Sequence, residues 1–410
     1  MIIKHLYSNK KLWIIILYLA FLILSITLIK LFLFPDSLKE TNFLNWDAEH
    51  YHWIKNNGYE GFRIAFFPLF PLIWNVLSCG VYGIVVINAL IFFLSYYLLI
   101  KPLKLDALEV LLYLSIPSCI FYFLPYTESL FFATSTLILF GLNKDKTSLI
   151  IVGLFLCTLT RPAFIFFIPA IIFSELYHEK LNYKSLLRIS SYIMILLIGL
   201  MIVFGIHFYY TGNWFSYFEI SKGWGGGVLQ LPKLPFTSWA GGLIVRLDGA
   251  AMLVGIFSGF LLLAILLKAK FLKNTSIPKE VVFSLSYLGG ITLFIIFRGG
   301  TLFSLNRFVF AVPFIIVAFN FWIKLNYNFK TKQLLYIFGF IFLFWFLFNS
   351  FVHIQTLMKF LLLSLYVMII FVVKSDKTLV RKIAMVLFII LNVTFQIFFY
   401  FRFLNGEWVG

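Results

Sequence analysis

Apolar runs close to bilayer length recur along this chain, and their continuity constrains the fold more than any motif does. A helix crossing a hydrocarbon core about 30 Å thick needs about 20 mostly apolar residues. Such runs fall near 12–34, 81–100, 106–123, 128–142, 148–160, 162–177, 189–209, 250–267, 281–297, 303–323, 333–350, 353–373 and 380–402, about thirteen in all. They are continuous rather than alternating at period two, which excludes a β-barrel. Of 410 residues, 62% are hydrophobic and 12% charged, with a mean hydropathy of +0.99, a composition no soluble domain of this length carries. The expected fold class is an all-α polytopic membrane protein, a single transmembrane domain over 1–410 with about 11–13 transmembrane helices and no internal repeat.

The net charge of +17 points to nucleic acid only until the charges are mapped. They lie in short loops between the runs, as the positive-inside rule requires, so no nucleic-acid partner is expected. With the N-terminus cytoplasmic, Lys4, Lys10, Lys11 and the loops holding Lys101/Lys104, Lys144/Lys146, Lys180/Lys184/Arg188, Lys268/Lys270/Lys273/Lys279, Lys324/Lys330/Lys332 and Lys374/Lys377/Arg381/Lys382 face inward. That places about twenty-one of 33 basic residues inside. The first run continues without a small-residue cleavage site and reads as a retained span. Cys79, Cys119 and Cys157 show no metal spacing, and their odd number argues against a complete disulfide framework. Two outer segments exceed turn length, 35–80 and 210–248. In the first, Phe66–Cys79 is apolar, short and interrupted by Pro68 and Pro71, as an interfacial or re-entrant helix would be. In the second, Gly223-Trp224-Gly225-Gly226-Gly227 fits a mobile lid or, the favoured reading, a connector.

Three outer clusters carry chemistry. In Asn45–Tyr59, Asn45 is placed to cap a short helix, Asp47 and Glu49 fall in its first turn, and Asn57-Gly58 ends it. Asp47, His50, Tyr51 and Ile54 share one face at helical spacing. Asp47 then either complements the helix dipole or serves as a reactive carboxylate. A divalent cation held by Asp47, Glu49, His50 and His52 is an alternative that no strong ligand spacing supports. In the second cluster, Pro125-Tyr126-Thr127-Glu128-Ser129, Pro125 stops one helix and Thr127 caps the next. Glu128 either completes that cap or pairs with a cation, because an unpaired acid at the bilayer edge is costly. The third holds Arg307, with Arg161 and Arg298 on the same side. Arginine there snorkels to headgroups or grips a phosphodiester bidentately. The convergence of Asp47, Glu128, Arg161 and Arg307 on one face supplies a base, a second carboxylate and an anion clamp.

These residues also carry a family resemblance. Trp46-Asp47-Ala48-x-His50-Tyr51, Gly58-Tyr59-Glu60, Ala65-Phe66-Phe67-Pro68-Leu69-Phe70-Pro71-Leu72, Pro125-Tyr126-Thr127-Glu128-Ser129-Leu130-Phe131 and Arg307-Phe308 followed by Pro313 resemble the PIG-V, or GPI mannosyltransferase II-like, family in its prokaryotic form. The specific motifs cover about residues 45–131, with weaker agreement to 313; Thr160-Arg161-Pro162 departs from the family's arginine-rich element. The resemblance implies a GT-C glycosyltransferase fold. It implies an inverting hexosyl, here mannosyl, transfer from a polyprenyl- or dolichyl-phosphate sugar donor to a glycolipid, glycan or protein acceptor at the outer face of a prokaryotic cell membrane. Asp47 would be the essential acid, with Glu49, His50, Tyr126 and Glu128 supporting the outer site and Arg307 and Arg161 meeting the donor phosphate. No metal ligand is carried over, and a divalent cation cofactor is left open. A lipid transporter or flippase and a GT-C enzyme using another sugar are the competing readings.

Overall fold

The computed structural model describes residues 10–179, 181–223, 229–238, 242–272, 277–349 and 353–410. Lys4, Lys180, Lys273 and 224–227 of the glycine-rich segment lie outside the described residues. The described chain is helical, with isolated β-bridges and no strand. In order, the helices are α1 (Lys10–Phe32), α2 (Asp47–Asn57), α3 (Leu69–Leu77), α4 (Val81–Ile100), α5 (Ala107–Leu114), α6 (Glu128–Asn143), α7 (Thr147–Thr160), α8 (Phe167–His178), α9 (Tyr183–Thr211) and α10 (Ser216–Gly223). They continue with α11 (Gly242–Leu272), α12 (Lys279–Ile296), α13 (Leu305–Phe310), α14 (Pro313–Lys324), α15 (Thr331–Phe344), α16 (Ile354–Val372) and α17 (Thr378–Leu404).

Among the described residues, eight helices are long and apolar enough to cross a membrane: α1, α4, α9, α11, α12, α15 with its 3₁₀ extension, α16 and α17. An apolar α-helix satisfies its own backbone polar groups, which hydrocarbon does not do for it. The remaining apolar segments are shorter or bent, and proline is the reason. The expected span 106–123 is broken: α5 stops at Leu114, Pro117 opens a 3₁₀ turn over Pro117–Phe123, and the chain bends by 102° into α6. The expected span 303–323 is divided where Val312, before Pro313, adopts an extended backbone. The expected start of 162–177 is a 3₁₀ turn, because Arg161 precedes Pro162 and is extended too. Proline removes a donor and drives the preceding residue out of the helical region. The short α3 lies within 66–79, where an interfacial or re-entrant helix instead of a span is expected.

Two hydrophobic clusters follow from these breaks. The larger fills the bundle, from Ile15 on α1 to Phe371 on α16. The smaller is built from the 43–74 loop, the Ile120–Tyr126 turn and the end of α17, and includes Tyr51, Trp74, Tyr126, Phe403 and Val409. The opposite end gathers the basic loops: Lys11 donates to the Ile100 carbonyl at 2.8 Å and Lys374 to the Ile323 carbonyl at 2.8 Å.

Candidate active site

α2 begins at a tight turn. The Ala48 amide donates to the Asn45 carbonyl at 3.2 Å, and Trp46 takes φ +58, ψ −127, so Asp47 enters the helix just after a strained residue. Asn45 does not cap the helix as the sequence predicted. Its amide instead donates to the Asn42 and Phe403 carbonyls, both at 2.8 Å, tying the loop to the end of α17. Gly58 ends α2 at φ +80, as the Asn-Gly pair predicted.

From this turn Asp47 meets Arg307, 260 residues away: Asp47 Oδ2 accepts from Arg307 Nη1 at 3.0 Å. Glu128, fully buried at the start of α6, accepts from Arg307 Nε at 2.8 Å and Nη2 at 2.7 Å, and from Arg161 Nη1 at 3.0 Å, all on Oε1. Thr127 precedes α6 without capping it through its side chain; its hydroxyl is bonded to Tyr51. Rings enclose both cations. Arg307 lies over Phe121 at 4.7 Å, Tyr126 at 4.9 Å and Trp408 at 5.5 Å; Arg161 lies over Phe308 at 4.8 Å. Two arginines and two carboxylates balance to zero. A paired, hydrogen-bonded network of this kind tolerates burial where a lone charge does not. Charge is therefore consumed within the site, and three of the five guanidinium N–H groups of Arg307 contact carboxylates. Asp47 keeps 19% of its side chain exposed and has one oxygen outside the Arg307 contact.

The expected set divides. Asp47, Tyr126, Glu128, Arg161 and Arg307 come together; Glu49 is exposed and stands apart. His50 sits beside Asp47, its ring packed on Phe62 at 5.1 Å and Phe66 at 4.9 Å, and its buried Nδ1 has no hydrogen-bond partner. Burial pulls the His50 pKa below its ordinary value, against the opposing pull of Asp47. His52 turns to Trp74 and the Asn56 amide. Asp47, Glu49, His50 and His52 thus do not converge, and no group of three or more His, Cys, Asp or Glu side chains able to hold a metal occurs among the described residues.

One carboxylate was missed. Asp248, fully buried on α11, accepts from the Asn306 amide at 2.9 Å and its side chain at 2.7 Å, and from Ser238 at 2.7 Å. Ser118 in turn donates to Asn306 at 2.9 Å. This network pins the residue next to Arg307. The signal was an acid in Arg246-Leu247-Asp248, at the head of an apolar run. The tail after α17 was missed as well. Trp408 packs edge-on against Trp46 with centroids 5.3 Å apart, and Gly410 lies where a Cβ would clash with Phe121 and Arg307.

The chain matches no family model, no curated protein and no solved structure. The class it shows is that of an all-helical protein with eight candidate membrane-spanning helices among the described residues. Its function is argued from the site.

Proposed function

We propose that this protein is a membrane glycosyltransferase of the GT-C type. In this reading it moves a hexosyl group, mannosyl by the motif resemblance, from a polyprenyl- or dolichyl-phosphate donor to a glycolipid, glycan or protein acceptor, with inversion. The observation that carries the reading is the Asp47–Arg307–Glu128–Arg161 network. A carboxylate at the end opposite the basic loops is oriented by a buried arginine, with one oxygen left for a substrate. A general base needs an oxygen free to reach the proton it takes, and Asp47 keeps one outside the Arg307 contact. The positive-inside rule puts that end on the outer face of the membrane.

Asp47 takes the acceptor hydroxyl proton as that oxygen forms its bond to the anomeric carbon. The bond from the anomeric carbon to the phosphate oxygen breaks, and the lipid phosphate leaves as an anion, so a single base suffices. The leaving charge is met by the two Arg307 N–H groups that contact no carboxylate, a preorganised-donor arrangement.

The transporter reading draws on charge at mid-span. Lys359, its clearest mid-span candidate, is exposed in the second turn of α16, near a helix end. The test of the enzyme reading is Asp47→Asn. The variant is expected to insert and fold, yet transfer no mannose from polyprenyl-phosphate mannose to membrane glycolipids or glycans followed by mass spectrometry. Wild-type turnover by the purified variant overturns it.

A further inference from the structure

Trp46 occupies a backbone position that glycine ordinarily fills. The Asn45–Ala48 turn has its closing hydrogen bond at 3.2 Å, and at the first central residue φ +58 and ψ −127 are those of a type II′ turn. A bulky L-residue there is strained, and such strain persists where the surroundings enforce it. The indole held this way is not buried to compensate: Trp46 remains 45% exposed. It stands immediately before Asp47. Behind it is Trp408, edge-on at 5.3 Å and itself seated over Arg307 at 5.5 Å. The tail that brings Trp408 is fastened on two sides, by Asn45 to the Phe403 carbonyl and by the Arg402–Glu407 ion pair. One helical turn along α2, the buried His50 Nδ1 has no partner.

We propose that Trp46 is the platform for a glycosyl ring, with Trp408 as a positioning residue and His50 Nδ1 as the polar handle for one ring hydroxyl. The inference rests on the glycosyltransferase reading and adds the residue that recognises the sugar. A pyranose presents an apolar C–H face and a hydroxyl rim. An exposed indole face matches the first, and a nearby unpartnered imidazole nitrogen matches the second. Trp46 directly precedes the carboxylate that receives the acceptor proton, and His50 follows it by three residues on the same helix. Glycine at position 46 would relax the backbone but remove the platform, so the strain reads as the cost of presenting the indole.

The experiment uses the full chain in nanodiscs and compares affinity for polyprenyl phosphate carrying mannose with affinity for bare polyprenyl phosphate. A parallel arm reads saturation transfer to methyl α-mannoside by NMR. Wild type is expected to prefer the mannosylated lipid by about three- to tenfold, the range of one aromatic contact. Trp46→Ala and Trp46→Gly should erase that preference while leaving affinity for bare lipid intact. Trp46→Phe should keep part of it. Trp408→Ala should reduce it, and Trp408→Phe should restore it. Trp46→Gly, which suits the turn, should melt no lower than wild type, so misfolding does not account for its loss. If the lipid preference survives but saturation transfer to the glycoside disappears, the platform holds the acceptor's ring instead of the donor's. If neither readout changes, or both lipids lose affinity equally, Trp46 is an interfacial anchor and the platform is overturned. If wild type binds neither lipid, the glycosyltransferase reading falls, and the platform with it.

Discussion

Glu128 is fully buried, whereas Asp47 keeps 19% of its side chain exposed, and that difference assigns the two carboxylates different tasks. Glu128 neutralises Arg161 and most of Arg307 through a single oxygen. Replacing it by glutamine leaves Arg307 with Asp47 alone and takes from Arg161 its carboxylate partner, and breaking a buried pair costs about 3–5 kcal/mol. Asp47→Asn leaves Arg307 its Glu128 contacts and removes only a half-open pair. Thermal unfolding of the purified variants is therefore expected to show a large drop in Tm for Glu128→Gln and a much smaller one for Asp47→Asn, while transfer is lost in both. A Glu128→Gln variant as stable as wild type would mean that this network does not hold the site. At this scale the sequence put Asp47 and Glu128 on one side, because both fall in segments that alternate with the basic loops. It left open whether Glu128 capped or paired. Pairing is what the structure shows, since an acid with no access to water needs a cation and Arg161 and Arg307 are both within 3.0 Å.

The elements that deliver these residues are the broken ones. Pro117 and Pro125 shape the turn before Glu128, Pro162 follows Arg161, and Pro313 closes the short helix of Arg307. Irregular backbone at this depth is tolerated because it is buried in protein, and its freed polar groups find partners such as Asn88, which donates to the Leu124 and Tyr126 carbonyls. Periodicity and apolarity predicted continuous spans across 106–123 and 303–323; proline sterics overrode them. Long, regular helices supply the frame. α11 and α12 approach so closely that a Cβ on Gly289 would lie 2.9 Å from Gly259 Cα, and Gly255 faces Thr292 with no room for a side chain. Small residues at such crossings let backbones touch. Gly289→Leu is expected to cost about 1–3 kcal/mol by overpacking. It should also lower activity, because α11 carries Asp248 and α12 leads to α13 with Arg307. Gly339→Ala on α15, where nothing lies within 4 Å, should be neutral or stabilising. Thermal melts of the two variants side by side check the contrast.

Across the whole molecule, the basic loops and the ion-pair site lie at opposite ends of the bundle. Lys11 and Lys374 cap helix carbonyls at one end, and Asp47, Arg307 and Trp408 meet at the other. If the positive-inside rule governs insertion, cysteines introduced at exposed Glu60 and Glu407 should react with an impermeant maleimide in intact cells. Cysteines at Lys144 and Lys330 should react only after permeabilisation, with Cys79 replaced in every background. The reverse pattern would move the site to the cytoplasmic face and exclude an outer-face donor. What the sequence determined by itself is the solvent this protein folds in and the apolar runs from which its long helices form. Hydropathy and charge act along the chain, so they can be read along it. The tertiary structure alone decided that Arg307 answers Asp47 and Glu128 together, that Asp248 secures the neighbouring Asn306, and that Trp408, 362 residues after Trp46, returns to stand behind it. Those contacts join segments distant in sequence, and their energies depend on burial and direction, which exist only once the helices have packed.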